Sequence, residues 1–387
     1  MSDAVDVLVI GAGIQGAGVA QAASAAGYRV KVLEQQAIAA GTSSRSSKLV
    51  HGGLRYLESH QYALVRKTLK ERDLLLRNAP ELVRLTPFYI PVYSTTRRRP
   101  GLVRIGLMLY SLLGGLRDTS RFRAVPTIEW KQLAITQDGL LAVYQFWDAQ
   151  TDDAALTRAV IHSAQDLGAE LACPASFIAA QVMPHGIEVM YRQADEEIRC
   201  TSRVLINASG PWVNEVLARI TPRQPGLVVE LVQGTHIVLD NPPPPGVFYV
   251  EAPQDRRAIF IMPWHDKMLV GTTETVYSGE PGDEVPLPAE IAYLRDVFRH
   301  YFPTLSDRVL ESYAGLRVLP QSTQAPFQRP RDTMLHIGPD RVVSMYGGKL
   351  SGYRATAHEV LRKIKPYLPA AKQKADTRTL RLHPLKR

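Results

Sequence analysis

Cysteine is scarce. The 387 residues hold two, Cys173 and Cys200, with no C-x-x-C pair and no zinc-ligand spacing. That argues against a disulfide framework or a cysteine metal site, so no metal is expected, and it fits reduced thiols in a cytoplasmic compartment. The most suggestive apolar stretch, the uncharged run 105–116, is shorter than the roughly 20 residues a membrane span requires. The opening MSDAV has neither the basic nor the long apolar region of a signal peptide. Internal repeats are lacking, and low complexity is confined to residues 242–245. What remains is an ordinary globular composition, 45% hydrophobic and 21% charged, in a chain long enough for two domains. A net charge of +9 admits an anionic substrate, an anionic lipid surface, nucleic acid or a solvated basic exterior. No recognisable motif supports nucleic acid, and none is expected as a partner.

The chain is organised around its first 58 residues. An apolar strand over 5–10 runs into Gly11-Ala12-Gly13-Ile14-Gln15-Gly16, then a small-residue helix, then a second strand over 28–33 that ends on Glu34. This is the dinucleotide fingerprint in its proper context. Gly11 makes the tight turn, Gly13 lets the backbone approach a pyrophosphate, and Gly16 lets helix and strand pack closely. The pyrophosphate belongs at the helix N-terminus, and Glu34 is placed to accept hydrogen bonds from a ribose. A block of hydroxyls and glycines follows, Gly41-Thr42-Ser43-Ser44-Arg45-Ser46-Ser47-Lys48-Leu49-Val50-His51-Gly52-Gly53-Leu54-Arg55-Tyr56-Leu57-Glu58, where a nicotinamide domain would continue with further βα units. Later come Asn207-Ala208-Ser209-Gly210-Pro211-Trp212, Gly234-Thr235-His236-Ile237-Val238, Gly271-Thr272-Thr273-Glu274, Gly315-Leu316-Arg317 and Gly347-Gly348-Lys349-Leu350.

In this order, over about residues 5–367, these motifs resemble the aerobic, FAD-dependent glycerol-3-phosphate dehydrogenases. The resemblance implies an α/β fold: a Rossmann-like FAD-binding domain of the glutathione-reductase/D-amino-acid-oxidase type, with an antiparallel-sheet substrate domain. The expected boundaries are 1–85, 140–215 and 329–369 for the FAD-binding domain, 86–139 and 216–328 for the substrate domain, and 370–387 for a basic tail. FAD is the implied cofactor, held by Gly11, Gly13, Gly16, Glu34, Thr42, Ser43, Ser44, Ser47, Lys48, Leu49, Gly210, Gly348, Lys349 and Leu350. The implied reaction is oxidation of sn-glycerol 3-phosphate to dihydroxyacetone phosphate, with quinone as acceptor, on the inner face of the cytoplasmic membrane. Arg55, Arg331 and Lys349, with Tyr56 alongside, are expected at the phosphate. His236 is expected as general base and Arg317 as partner to the developing alkoxide. A lone strand histidine is otherwise an ordinary core residue. Two competing readings stand beside this one: a related flavoprotein for another hydroxy acid, amine or phosphorylated alcohol, and a non-catalytic basic flavin-bearing protein.

Elsewhere the reading is plainer. Residues 61–79 form an amphipathic helix and 86–92 a strand. The arginine-flanked segment 97–117 is either a buried helix or one lying on an anionic bilayer. Asp152-Asp153 cap a helix over 154–167, and 187–191 and 198–206 alternate as strands. Residues 342–346 make a strand that enters the glycine pair, and 350–367 form a helix whose N-terminus suits negative charge on a reduced flavin. Two departures from the family stand out. Ser351-Gly352 occupies the place of two threonines, and the family's helical C-terminal domain has no counterpart in these 387 residues.

Overall fold

A computed structural model describes residues 3–322, 332–338 and 340–384. Arg331, an expected phosphate ligand, lies outside the described residues. Among those described, two sheets are assembled. The first has a parallel centre in the order Val342–Tyr346, Glu196–Asn207, Asp3–Ile10, Val30–Leu33 and Glu170–Ala172. Its central strands carry near-continuous apolar runs because helices cover the sheet. Helix α1, Ile14–Ala25, is buried almost all round, packed against further helices, which is why it is built of alanine and glycine. An antiparallel extension, Ser176–Met183 and Gly186–Gln193, continues the sheet beyond Glu196–Asn207; the first of these strands escaped the sequence reading.

The second sheet has ten strands and is antiparallel except where Val247–Glu251 meets Val83–Tyr93. Leu140–Thr151, grouped by sequence with the nucleotide-binding segments, pairs instead along Val83–Tyr93 in this second sheet. The reason is a hydrophobic one: Val143, Tyr144 and Phe146 face the clusters that also bury Phe88, Phe248 and Met262. Helix α2 spans Tyr62–Asn78 and helix α3 spans Pro100–Leu113, with proline at the first helical position. Helix α4, Asp153–Asp166, has Asp152 as its N-cap, its carboxylate accepting the Ala155 N–H at 2.9 Å.

The C-terminal segment is no free tail. Lys374 N–H donates to Ala25 O and Leu382 N–H to Asn78 O, both at 2.8 Å, and Leu382 is buried. Its basic side chains are used locally: Lys374 Nζ donates to Leu167 O at the end of α4 at 2.7 Å, where a cation complements exposed carbonyls.

Candidate active site

The two sheets meet at a cleft of about 430 Å³, and the fingerprint forms one wall. Gly11 has φ +100°, and a Cβ there would lie 2.7 Å from Ala208 O. A Cβ on Gly16 would sit 2.0 Å from Gly11 O, so only glycine lets α1 start this close to the first strand. Ser43 Oγ accepts the Ile14 N–H at 2.9 Å, and Glu34 Oε2 accepts the Ala12 N–H at 2.8 Å. Glu34 also lines the cleft, as does Gly210 at φ +61°, where no atom stands within 4 Å of the Cβ position. Backbone open to the cleft at the N-terminus of a helix, beside an acid on the next strand, fits the pyrophosphate and ribose of FAD.

The hydroxyl block is held by partners far along the chain. Thr42 Oγ1 donates to Leu316 O at 3.0 Å, Arg45 Nη1 to Ala314 O at 3.1 Å, and Tyr313 OH to Ser46 O at 3.2 Å. Thr42, Ser43, Ser47 and Leu49 line the cleft. Ser44 and Lys48 do not. Ser44 Oγ turns back to Gly41 O at 3.1 Å. Lys48, with φ +58°, directs its ammonium to Asp153 Oδ1 at 2.7 Å and Ser44 O at 2.5 Å, between the rings of Trp264 and Tyr313. Both side chains therefore brace the block from within. Asp153 in turn does more than cap, because Oδ2 also accepts the Ser46 N–H at 2.9 Å.

His236 stands one hydroxyl back from the cleft. It is 1% exposed and does not line the cleft. Its Nε2 is 3.0 Å from Ser47 Oγ, and its ring stacks on Tyr313 at 5.0 Å. Burial, then the charges of Arg317 and Lys48, hold the imidazole well below the ordinary histidine range. The ring reaches the cleft through the Ser47 hydroxyl.

Cations converge where the second sheet completes the cleft. Arg55, Arg257, Arg317 and Lys349 all line it, with Tyr56, Tyr249 and His51 among them. Arg317 Nη2 donates to Thr272 Oγ1 at 3.1 Å and Nη1 to Thr273 O at 3.3 Å. Burial, and then the Arg55 charge, push its pKa down to about 10. The Lys349 ammonium lies 3.7 Å from the centre of the Tyr56 ring, is buried, and makes no hydrogen bond among the described residues. Gly347 and Gly348 bring it there with φ +66° and +116°, and Leu350 also lines the cleft. A 3₁₀ turn, Leu350–Gly352, follows before the helix Tyr353–Ile364 begins, so the helix starts later than the sequence suggested.

Sequence reading passed over Arg257, Tyr249 and His51 as site residues. Arg257 follows the turn residue Arg256, whose φ of +62° reverses the chain. Its Nε bonds Asp255 Oδ2 at 2.6 Å, and its guanidinium sits over Tyr293 at 5.1 Å. For His51 the signal was present, an imidazole between hydroxyls and a glycine pair. It lines the cleft with its ring centre 6.3 Å from that of Phe260.

A model of the FAD dependent oxidoreductases (DAO) matches residues 6–357. The D-erythritol 1-phosphate dehydrogenase of Brucella abortus (strain 2308) is 34% identical over 373 residues, covering 94% of this chain and 74% of that protein. The aerobic glycerol-3-phosphate dehydrogenase of Escherichia coli (strain K12) is 32% identical, again over 94% of this chain and 74% of its own length. Measured against such curated relatives, the chain spans from 66% to 74% of their length. The glycerol-3-phosphate dehydrogenase of Bacillus halodurans, solved complexed with FAD, shares the fold, with a TM-score of 0.75 at 24% identity, over 98% of this chain and 67% of that one.

Proposed function

The chain belongs to the FAD-dependent oxidoreductase family, and from that premise we propose that it oxidises sn-glycerol 3-phosphate to dihydroxyacetone phosphate and passes the electrons to a quinone. One observation carries the substrate class. Six cationic residues line one cleft with the fingerprint glycines, Arg55, Arg257, Arg317 and Lys349 among them, and the buried Lys349 ammonium has no hydrogen-bond partner among the described residues. Such a group is costly until an anion meets it. Bound FAD supplies the hydride acceptor. Arg55, Arg257 and Lys349 take the phosphate, whose binding energy aligns the distant hydroxyl-bearing carbon. Arg317, fixed by Thr272 and Thr273, stabilises negative charge on the substrate oxygen as its proton leaves. His51 takes that proton, because its imidazole lines the cleft. His236 acts behind it, holding the Ser47 hydroxyl.

A second substrate has an observation in its favour. The B. abortus relative is named for D-erythritol 1-phosphate, a secondary alcohol with the same phosphate handle and one more carbon. Anaerobic titration of the purified protein, followed by visible flavin absorption, separates the two. Bleaching by sn-glycerol 3-phosphate at concentrations where erythritol 1-phosphate is inert supports the leading reading; the reverse order refutes it, and a yellow protein unmoved by either removes both.

Quinone as acceptor is tied to α3. Val103, Leu107 and Tyr110 bury one side of this helix, while Leu102, Ile105, Met108 and Leu112, with Leu116 beyond its end, are each more than half exposed along the other. Their helical spacing makes them a single apolar stripe, and Arg97, Arg99 and Arg104 are exposed around it. That combination suits a helix lying at the surface of an anionic bilayer, on the cytoplasmic side, next to the quinone pool. No helix among the described residues is long and apolar enough to cross a membrane.

A further inference from the structure

Arg98 belongs to the basic triplet that opens the membrane-facing segment, yet its side chain turns inward. Its Nε donates to one oxygen of Glu58 and its Nη2 to the other at 2.9 Å, while Nη1 reaches Glu251 Oε2 at 3.1 Å. Glu251 Oε1 also accepts the Arg97 N–H at 2.9 Å, fixing this end of the segment. Glu58 ends the short 3₁₀ helix Leu54–Leu57, in which Arg55 is its neighbour three residues back. Residues i and i+3 eclipse one another in a 3₁₀ helix. An unengaged Glu58 carboxylate would therefore have two cations at hand, the solvent-exposed Arg97 and, on its own turn, Arg55.

We propose that Arg98 is a positioning residue of the anion site: by occupying both oxygens of Glu58 it leaves the Arg55 guanidinium to the substrate's phosphate. The inference rests on the reading of Arg55 as an anion ligand. The charge relations around Glu58 agree with it. The Arg98 hydrogen bond holds the Glu58 carboxyl below its usual range, and Arg55 is among the charges that act on it. Arg55 in turn acts on Arg317 across the cleft, so it stands between an acid on one side and the reaction centre on the other. A fork of two parallel N–H···O bonds is the geometry that best withdraws a carboxylate from a competitor. Arg98 thus tunes the site without touching substrate, and is no lipid-facing charge.

The test uses holoenzyme and inorganic phosphate as the probe, with affinity read by calorimetry, alongside KM for sn-glycerol 3-phosphate. In R98A the freed Glu58 captures Arg55, and phosphate affinity falls about tenfold, the worth of one charge-assisted hydrogen bond. KM rises in parallel while kcat holds. E58Q alone binds phosphate at least as tightly as the unaltered protein. In R98A/E58Q the competitor is neutral, and affinity returns to within about twofold of the starting value, since the other acid on Arg98, Glu251, stays tied to the Arg97 N–H. A merely structural role for Arg98 would not be rescued by a second change. Unaltered binding in R98A, or a defect that persists in the double variant, overturns the inference. So does a wild-type protein that binds no phosphate. Should R98A lose its flavin, R98K and R98K/E58Q carry the same comparison, because lysine cannot span both oxygens. Wild type that binds phosphate but is not bleached by sn-glycerol 3-phosphate refutes the substrate assignment alone and leaves the Arg98 series intact.

Discussion

His236 offers a stability signature that follows from its burial. The ring is sealed by Tyr313 on one face, its Nε2 is committed to Ser47, and Nδ1 has no hydrogen-bond partner among the described residues. Protonation inside the fold would bury a cation near Arg317 and Lys48. The unfolded chain has no such obstacle and takes up its proton as pH falls through the ordinary value of 6.5. Stability from this group is therefore full above that pH and declines below it, until the depressed folded value is reached. Between pH 7.5 and 5.5 the linkage relation sets a ceiling of about 1.4 kcal/mol on this loss, reached where the folded ring takes up no proton, and nearly all of it falls below pH 7. The assay is urea unfolding of the holoprotein at fixed excess FAD, followed by tryptophan fluorescence, at both pH values, for wild type and H236Q. Comparing the two slopes cancels the other titrating groups, including His358, which burial also lowers. Wild type should lose more than H236Q on acidification, by up to about 1.4 kcal/mol. Equal losses would show that His236 accepts a proton in the fold, and would favour it over His51 as the base. The kinetic counterpart is that H51Q slows flavin reduction by about 10²- to 10⁴-fold, the usual contribution of a general base, whereas H236Q stays within about tenfold.

Three further outcomes follow from the same geometry. K48M strands the buried Asp153 carboxylate and should cost about 3–5 kcal/mol in urea unfolding, with K48M/D153N recovering a substantial part; a K48M cost under about 1 kcal/mol would contradict the buried pair. G16A places a Cβ 2.0 Å from Gly11 O, so overpacking of about 1–3 kcal/mol or more should appear as lost FAD on purification; flavin stoichiometry equal to wild type would refute the close approach. I105E/L112E should abolish sedimentation with vesicles containing anionic lipid while leaving flavin reduction in solution unchanged, and undiminished sedimentation would rule out α3 as the lipid-facing element.

Local chemistry accounts for what could be read from the sequence. The run over 5–10, the glycines at 11, 13 and 16, and Glu34 are neighbours along the chain, and the turn they form is dictated by backbone sterics rather than by distant partners. The cofactor wall was legible for that reason, and the cations at 55, 317 and 349 were legible because each sits in a motif. Side-chain facing was not. In a half-buried strand, alternation says which residues look inward, but Val229–Leu239 is buried continuously from Val232 onward. Nothing in Gly234-Thr235-His236-Ile237-Val238 then tells one face from the other. The pairing of His236 with Tyr313, and of Val232 with Arg317, places His236 on the sheet face that carries Arg317, and there the Ser47 hydroxyl, not the strand's direction, stands between the ring and the cleft.

The hydroxyl block shows the same limit more sharply. Thr42, Ser43, Ser44, Ser47 and Lys48 are alike in composition, yet Ser44 and Lys48 turn away from the cleft that the others line. Lys48 does so because Asp153, on α4, offers a buried carboxylate, and because φ +58° swings the side chain toward it. Thr42 and Arg45 are set by carbonyls on Val309–Pro320, roughly 270 residues on. A charge run is no more uniform than a hydroxyl run. Arg97-Arg98-Arg99 reads as one solvated patch, but Glu58 and Glu251 withdraw the middle residue into the fold. Two exposed arginines remain for a surface, and one is spent on keeping Arg55 free. Charge counted along the chain therefore overstates what α3 can present to lipid and understates what supports the anion site.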